Sequence, residues 1–513
     1  KRHFLNSTEA FMKSVLALFY ISSTLSLTRK ASRSVSRSMS LKVKDNESSV
    51  LAFDELTKKL SEIEKLSGIK NLLDWDEMVL MKSGSVAARG DHKTSLSGII
   101  YEKQTSPELK NLIDSVNQSG KSHLTNDFER AILRDAERDY NLVSRKSRDM
   151  VLRETELEGK GYQTWTKARE NKSFKEFASV FTDIVNIKKE IAGAISPNQS
   201  PYNANIDLFE RGMTHERLHN IFTSIKPNII SLIQQIQSSS CSSTYIPPSE
   251  LQGSELWNIN TQKELCIEIA KSIGFDFEKG RLDVSVHPFT GGPHPTDVRI
   301  TTRYSSSNWL EGIAGTVHEV GHALYEQGRN MNYNNLPVSR PLSMGVHESQ
   351  SLFWERMIFQ SYEFWTWCTP IVHKHFPHTQ SITVDQFYRH VNNVSPGFIR
   401  VDADEVTYPL HIILRFELEK ALFEGSIEVN DLPTVWKERM RESLGLEVEN
   451  DAQGILQDIH WSIGALGYFP SYTLGAMIAA QLFEKIETEI PNIRTLIATG
   501  EFSEIREWLR KNI

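Results

Sequence analysis

Cysteine is nearly absent. Cys241, Cys266 and Cys368 are the three in 513 residues, and they lie far apart. An odd, unpatterned set supports neither a disulfide framework nor a cysteine metal site. Excess basic charge is missing as well: 58 Lys and Arg stand against 65 Asp and Glu, a formal net charge of −7. That balance speaks against a general nucleic-acid binder. No apolar run is long enough for a bilayer span, since the mostly apolar stretch 14–27 stops short of about 20 residues. Repeats at solenoid periods are absent too. With 39% hydrophobic and 24% charged residues and a mean hydropathy of −0.37, the composition predicts a globular chain with a large core.

The charge is unevenly placed. Residues 1–44 hold nine basic residues and one acid, Glu9, so the remainder stands at −15. A basic start, a short apolar core and a serine- and arginine-rich run read as targeting information, with a disordered tail as the alternative. Met12 followed by Lys13 and SVLALFYISSTLSL resembles a signal-like start. The expected organisation is a targeting or disordered segment over 1–44 and one unit over 45–513. Import into an organelle or secretion is expected from that segment, and a cytoplasmic location otherwise.

From about residue 50 the apolar spacing is helical nearly throughout, so the fold class is mainly all-α. Amphipathic runs cover roughly 107–118, 126–195, 214–237, 260–273, 308–328, 342–377, 405–425, 433–444, 452–464 and 472–513. Gly68 is placed to end the first helix. One stretch follows a period of two. Leu282, Val284 and Val286 alternate, a Gly/Pro turn follows, and Val298 and Ile300 alternate again, which predicts a small β-hairpin.

The chemistry centres on His318-Glu319-Val320-Gly321-His322. On a helix, residues four apart share a face, so two imidazoles can bind one zinc ion while Glu319 reaches a water beside it. Asn308 with Glu311 suits the start of that helix, and Ile313, Val317, Val320 and Leu324 form its apolar stripe. Catalytic zinc usually takes a third protein ligand. Glu348, in Val346-His347-Glu348-Ser349-Gln350-Ser351, is the best candidate, with His347 as rival and Glu355 as a weaker one. The asparagine-rich loop 329–335 would join the two helices, making a metal-binding pair over about 308–365.

At this point the sequence resembles the thermostable carboxypeptidase family of metallopeptidases, often called carboxypeptidase Taq. HEVGHALYEQG and GVHESQSLFWER carry the likeness, and other short motifs follow the family's order. They are HPF at 287–289, DVRIT at 297–301, HESQ at 347–350, IRVDAD at 399–404, GILQDIHW at 454–461 and GYFPSYTLG at 467–475. Weaker likeness near residues 72 and 206 extends it over roughly 50–513.

The resemblance implies a two-lobed, helical gluzincin-type metallopeptidase with a deep groove, one Zn2+ per chain (Co2+ or another divalent metal substituting) and pairing as a homodimer. By matching positions, His318, His322 and Glu348 would hold the metal, Glu319 would be the general base, and Arg400 would bind the peptide's C-terminal carboxylate. A planar guanidinium suits that task; an ion pair with Asp402 or Asp404 is its bland alternative. By similarity to helical gluzincins, His460 and Tyr468 would steady the oxyanion. Tyr408 and His411 are weaker candidates for lining the groove. The 297–301 strand is an expected edge for extended substrate, and His287, Arg299 and Arg303 near it receive no role. The expected activity is release of single C-terminal residues from peptides with a free C-terminus. An oligopeptide endopeptidase on the same scaffold and a non-catalytic peptide-binding protein are the alternatives. Nucleic acid and a stable membrane span are not expected.

Overall fold

In the computed structural model, residues 38–118, 124, 126–239, 246–253 and 256–513 are described, with side chains from residue 50 onward. The expected targeting segment therefore lies outside the described residues, apart from helical backbone from Ser38, and so does Cys241. By its internal contacts the chain divides into Lys1–Val50 and Leu51–Ile513. No described helix is long and apolar enough to cross a membrane.

The second unit is mainly α-helical around two large apolar cores and one smaller one, with a further small cluster of Ile187, Ile191 and Ile195. The smaller core joins α1 (Ser38–Val79), α2 (Val86–Gln104), α3 (Pro107–Gln118) and α4 (Asp127–Ser144) through Leu60, Ile100, Ile113 and Leu133. The next core gathers α5 (Arg148–Glu170), α6 (Lys175–Ile195), α7 (Pro201–Phe209) and α8 (His215–Ser238).

The third core begins with α9 (Ile259–Ile273) and strands β1 (Gly280–Val284), β2 (Thr290–His294) and β3 (Asp297–Thr302). It continues through α10 (Trp309–Gln327), α11 (Met344–Leu352) and a π-helical segment, Phe353–Phe359, to α12 (Tyr362–His375) and α13 (Val384–Val391). The chain then returns to the second core with α14 (Tyr408–Glu424) and α15 (Leu432–Leu444). α16 (Pro470–Glu489) ties the two large cores together, with Leu474 in one and Ala479, Phe483 and Ile486 in the other. α17 (Ile493–Thr499) and α18 (Ser503–Asn512) close the chain against the third core.

Several expectations change in detail. The sheet has the order β1-β3-β2, with β1 parallel and β2 antiparallel to β3. The two alternating stretches are thus parallel neighbours, and the hairpin is β2–β3, because Thr290 to His294, expected as a turn, is itself a strand. β3 is the central strand, so it offers no free edge to substrate; β2 does. Gly68 does not end its helix, which runs to Val79. Its missing Cβ instead admits the Pro293 carbonyl, 2.7 Å from where that carbon would sit. Asn308 makes no side-chain cap to α10, and Glu311 pairs with Arg303 instead. Residues 452–464 are turns and a short 3-10 helix, His460–Ile463, because the Asn450 side chain accepts from the backbone N–H of Ala452 and Gln453, both at 3.1 Å. Such an Asx turn competes with helix.

Candidate functional site

α10 divides its residues between two tasks. Ile313, Val317, Val320 and Leu324 are buried in the core, while His318 and His322 project from another face, their ring centroids 5.1 Å apart. α10 and α11 touch where Gly321 meets Gln350 and Ser351. A Cβ on Gly321 would stand 2.6 Å from the Gln350 carbonyl oxygen and 2.6 Å from the Ser351 Cα. The middle glycine of the five-residue motif therefore sets how closely the two backbones approach. Ser343 caps α11, accepting from Val346 N–H at 3.1 Å. Across α11, Gly475 of α16 leaves room for the Glu348 side chain, whose Cβ and Cγ lie 2.8 Å from a would-be methyl.

His318, His322 and Glu348 consequently converge. One ligand atom from each lies within 4.8 Å of the others, and His322 Nε2 is 3.5 Å from Glu348 Oε2. The two rivals for third ligand have other partners. His347 stacks on His322 at 4.4 Å and its Nε2 meets Glu326 Oε1 at 3.0 Å. Glu355, from the π-helical segment, lies 2.5 Å from His318 Nδ1. A carboxylate only accepts, so that pairing puts a proton on His318 Nδ1 and leaves Nε2 as the nitrogen that can exchange its proton for a metal, the arrangement by which a carboxylate orients a ligating imidazole.

Electrostatics agree with a cation site. Burial works against a charged His318, yet Glu355, Glu348 and Glu319 outweigh it and carry its pKa to about 10. Burial also opposes ionisation of Glu348, but His322, His318 and Arg356 bring it down to about 2. A buried pocket this acidic favours positive charge, and two imidazole nitrogens with one carboxylate oxygen suit a divalent ion of the zinc type. His322 Nδ1 is buried without a hydrogen-bond partner.

Glu319 is 5% exposed. One of its carboxylate oxygens accepts from Thr290 Oγ1 at 2.6 Å, so the free-edged strand β2 holds the proposed base. Desolvation raises its pKa against the pull of His318. A cavity of about 600 Å³ is lined in part by Thr290, the partner of Glu319, and by Gly291, His294, Trp75, Glu326 and His347.

The second core supplies a charge cluster. Arg400 is 6% exposed. Its Nε donates to Asp458 Oδ1 at 2.8 Å and its Nη1 to Tyr408 Oη at 2.8 Å. Arg415, fully buried, bonds the other Asp458 oxygen at 2.7 Å. Asp458, held well below the usual carboxyl range by Arg400 and Arg415 despite burial, is thus shared by two cations. The expected partners of Arg400 do not serve: Asp402 is exposed, and Asp404 accepts from Val406 and Thr407 N–H at 3.0 Å.

His460 stands 5.2 Å from Tyr468 by ring centroids, and its Nε2 is 3.2 Å from Tyr472 Oη. Burial drives the His460 pKa down to about 3, so the ring is neutral. Burial, and after it the charge of Glu348, raises the Tyr468 phenol above its ordinary range. His411 is fully buried and lines no groove. His287 is exposed, Arg303 pairs with Glu311, and Arg299 pairs with Asp297 over the Trp75 ring. Thr290, Asp458, Arg415 and Tyr472 were not singled out for these places by spacing; only the topology shows them. Glu355, the weaker candidate for third ligand, stands against His318 Nδ1.

The sequence profile of the carboxypeptidase Taq (M32) metallopeptidase family matches residues 55–513. The chain is 35% identical over 458 residues to carboxypeptidase 1 of Bacillus subtilis, covering 88% of this chain and 89% of that protein. To thermostable carboxypeptidase 1 of Pyrococcus furiosus it is 33% identical over 445 residues, 86% of this chain and 88% of that one. Among solved structures, Trypanosoma cruzi metallocarboxypeptidase 1 superposes with a TM-score of 0.85 at 34% identity, over 90% of this chain and 92% of that chain. A Pyrococcus furiosus carboxypeptidase does so at 0.86 and 31% identity, with the same coverage.

Proposed function

The chain belongs to the carboxypeptidase Taq (M32) metallopeptidase family, and on that premise we propose a zinc-dependent carboxypeptidase that removes one C-terminal residue at a time from peptides. The observation that carries the site assignment is the convergence of His318, His322 and Glu348; the buried Arg400–Asp458–Arg415 cluster, of net positive charge, supports a carboxylate receptor. A divalent ion held by the three ligands supplies Lewis-acid polarisation of the scissile carbonyl and of water. The protein's own groups do the rest. Arg400 binds the substrate's terminal carboxylate. Glu319, steadied by Thr290 through one oxygen, takes a proton from water with the other and passes it to the leaving amine. Its raised proton affinity in the buried site fits that shuttling. Tyr468 and the neutral His460 donate toward the oxyanion. The free edge of β2 and its cavity accept the part of the peptide upstream of the cut.

Zinc is the proposed ion on the donor set, with Co2+ as a competent substitute. Homodimer formation follows the family resemblance and is read by sedimentation. Targeting by residues 1–44 is read by tracing a tagged full chain.

The test is a time course on one peptide made as free acid and as C-terminal amide, with products weighed by mass spectrometry. Stepwise shortening of the free acid alone is expected. Glu319→Gln should keep its metal while turnover falls by about two to four orders of magnitude. Equal cutting of the amide overturns the carboxypeptidase reading, and near-normal turnover in the variant overturns Glu319 as base.

A further inference from the structure

Arg356 is a buried cation without an ion-pair partner. It is 9% exposed, its Nε is buried with no hydrogen bond, and among the described residues it makes no salt bridge. It lies on the π-helical segment, next to Glu355, the partner of His318. Single π-helical turns inside helices frequently mark functional sites. Arg356 is near enough to favour the ionised forms of Glu348, Glu355 and Glu405. Glu355 and Glu348, however, are already matched with His318 and His322, and among the described residues no salt bridge or hydrogen bond joins Arg356 to Glu405. A guanidinium left unpaired in a low-dielectric site is costly unless another group completes its hydrogen bonds.

The aromatic ring of Tyr408 indicates where that group goes. The Arg356 guanidinium carbon stands 5.1 Å from its centroid, and the Arg400 carbon stands 5.8 Å from the same centroid. Both are within cation–π range of one phenol. Arg400 is partly spent: Nε is committed to Asp458 and Nη1 donates to Tyr408. A carboxylate has lone pairs for about four hydrogen bonds, more than the remainder of the Arg400 fork fills well.

We propose that Arg356 is a second receptor for the substrate's C-terminal α-carboxylate, sharing it with Arg400 around Tyr408. This rests on the carboxypeptidase reading above and extends it to a substrate-binding residue on the metal-bearing side of the site. An acidic side chain on the released residue is the other possible source of a carboxylate, and the test separates the two.

The experiment uses the metal-loaded full chain with Arg356→Gln and Arg356→Lys. Each is assayed on matched peptides ending in alanine as free acid, in alanine amide, and in aspartate as free acid, with metal content measured alongside. Arg356→Gln should lower kcat/KM on both free acids by about tenfold to a hundredfold, mostly through KM, the range for losing hydrogen bonds to a charged group. Residual amide cleavage and metal content should not change. Arg356→Lys should recover part of the loss, and it keeps the question answerable if Gln impairs folding. Combined with Arg400→Gln, the loss should be smaller than the product of the single losses, since both bind one group. Equal losses on acid and amide with loss of metal would make Arg356 a counter-charge for the triad and overturn the proposal. So would unchanged kinetics, or a loss confined to the aspartate peptide. Failure of the underlying reading is visible separately, as wild type cutting acid and amide alike.

Discussion

Asp458 accepts from Arg400 and Arg415 at once, in a place where all three are nearly or fully out of water. Removing its charge strands two buried guanidiniums. Asp458→Asn should destabilise the fold by about 3–5 kcal/mol, measured as a shift of the urea midpoint at constant slope, and should cost activity on free-acid peptides. Glu419 is the opposite case, a buried carboxyl with three donors and no salt bridge among the described residues: Trp461 Nε1 at 2.7 Å, Gly467 N at 2.8 Å and Tyr202 Oη at 2.9 Å. Burial dominates and pushes its pKa up to about 7 from 4.5. The folded chain then holds a proton that the unfolded chain has released, so this group's contribution is fully present below about pH 4.5 and fades as pH rises through 7. Glu419→Gln should lose that dependence. Relative to wild type it should look better at pH 8 than at pH 5, by about 3 kcal/mol in matched denaturation curves.

At the scale of elements, the crossing of α10 and α11 sets the convergence of His318, His322 and Glu348, the proposed metal site. Gly321 allows it, because any side-chain carbon there meets Gln350 and Ser351 backbone, and backbone cannot swing aside as a long side chain can. Gly321→Ala should separate the helices, weaken metal binding about 10- to 100-fold by moving Glu348 relative to the histidines, and lower turnover at limiting zinc. A competition titration against a chelator dye reads the first effect; unchanged affinity would show that the crossing tolerates the methyl. Helix existence was legible in the sequence wherever apolar spacing ran long, and so were the two helices that bring His318, His322 and Glu348 together, because that information is local. Strand pairing was not. A parallel β1–β3 pair and the strand character of Thr290 to His294 depend on contacts that spacing does not encode. Nor does spacing show that Arg400 finds its anion at Asp458, 58 residues away, or that Arg356 forms no salt bridge among the described residues.

For the unit as a whole, the site sits where two cores meet. The metal helices belong to one core, α14 and the Trp461 segment belong to the other, and α16 runs through both. Metal bound at the triad stabilises the folded state by mass action. Without it, Glu319, Glu348 and Glu355 face one another, with His322, His318 and Arg356 as the opposing groups. Stripping the ion with a chelator should lower the melting temperature by about 3–8 °C, and stoichiometric zinc should restore it. A scan that does not respond to zinc would mean the triad is preformed and contributes nothing to stability.

A guanidinium pinned by Asp458 and Tyr408 and surrounded by Phe469 and Tyr472 cannot follow its ligand. With Arg400 as carboxylate receptor, the separation between anchor and cutting point is built into the wall and becomes a ruler. Every peptide is measured from its end, whatever its sequence, and one residue is the unit. Each cut also recreates, one position further in, the same handle that was just consumed. The shortened product is therefore a substrate again, and the enzyme works as a counter, with chain length as the quantity that runs down.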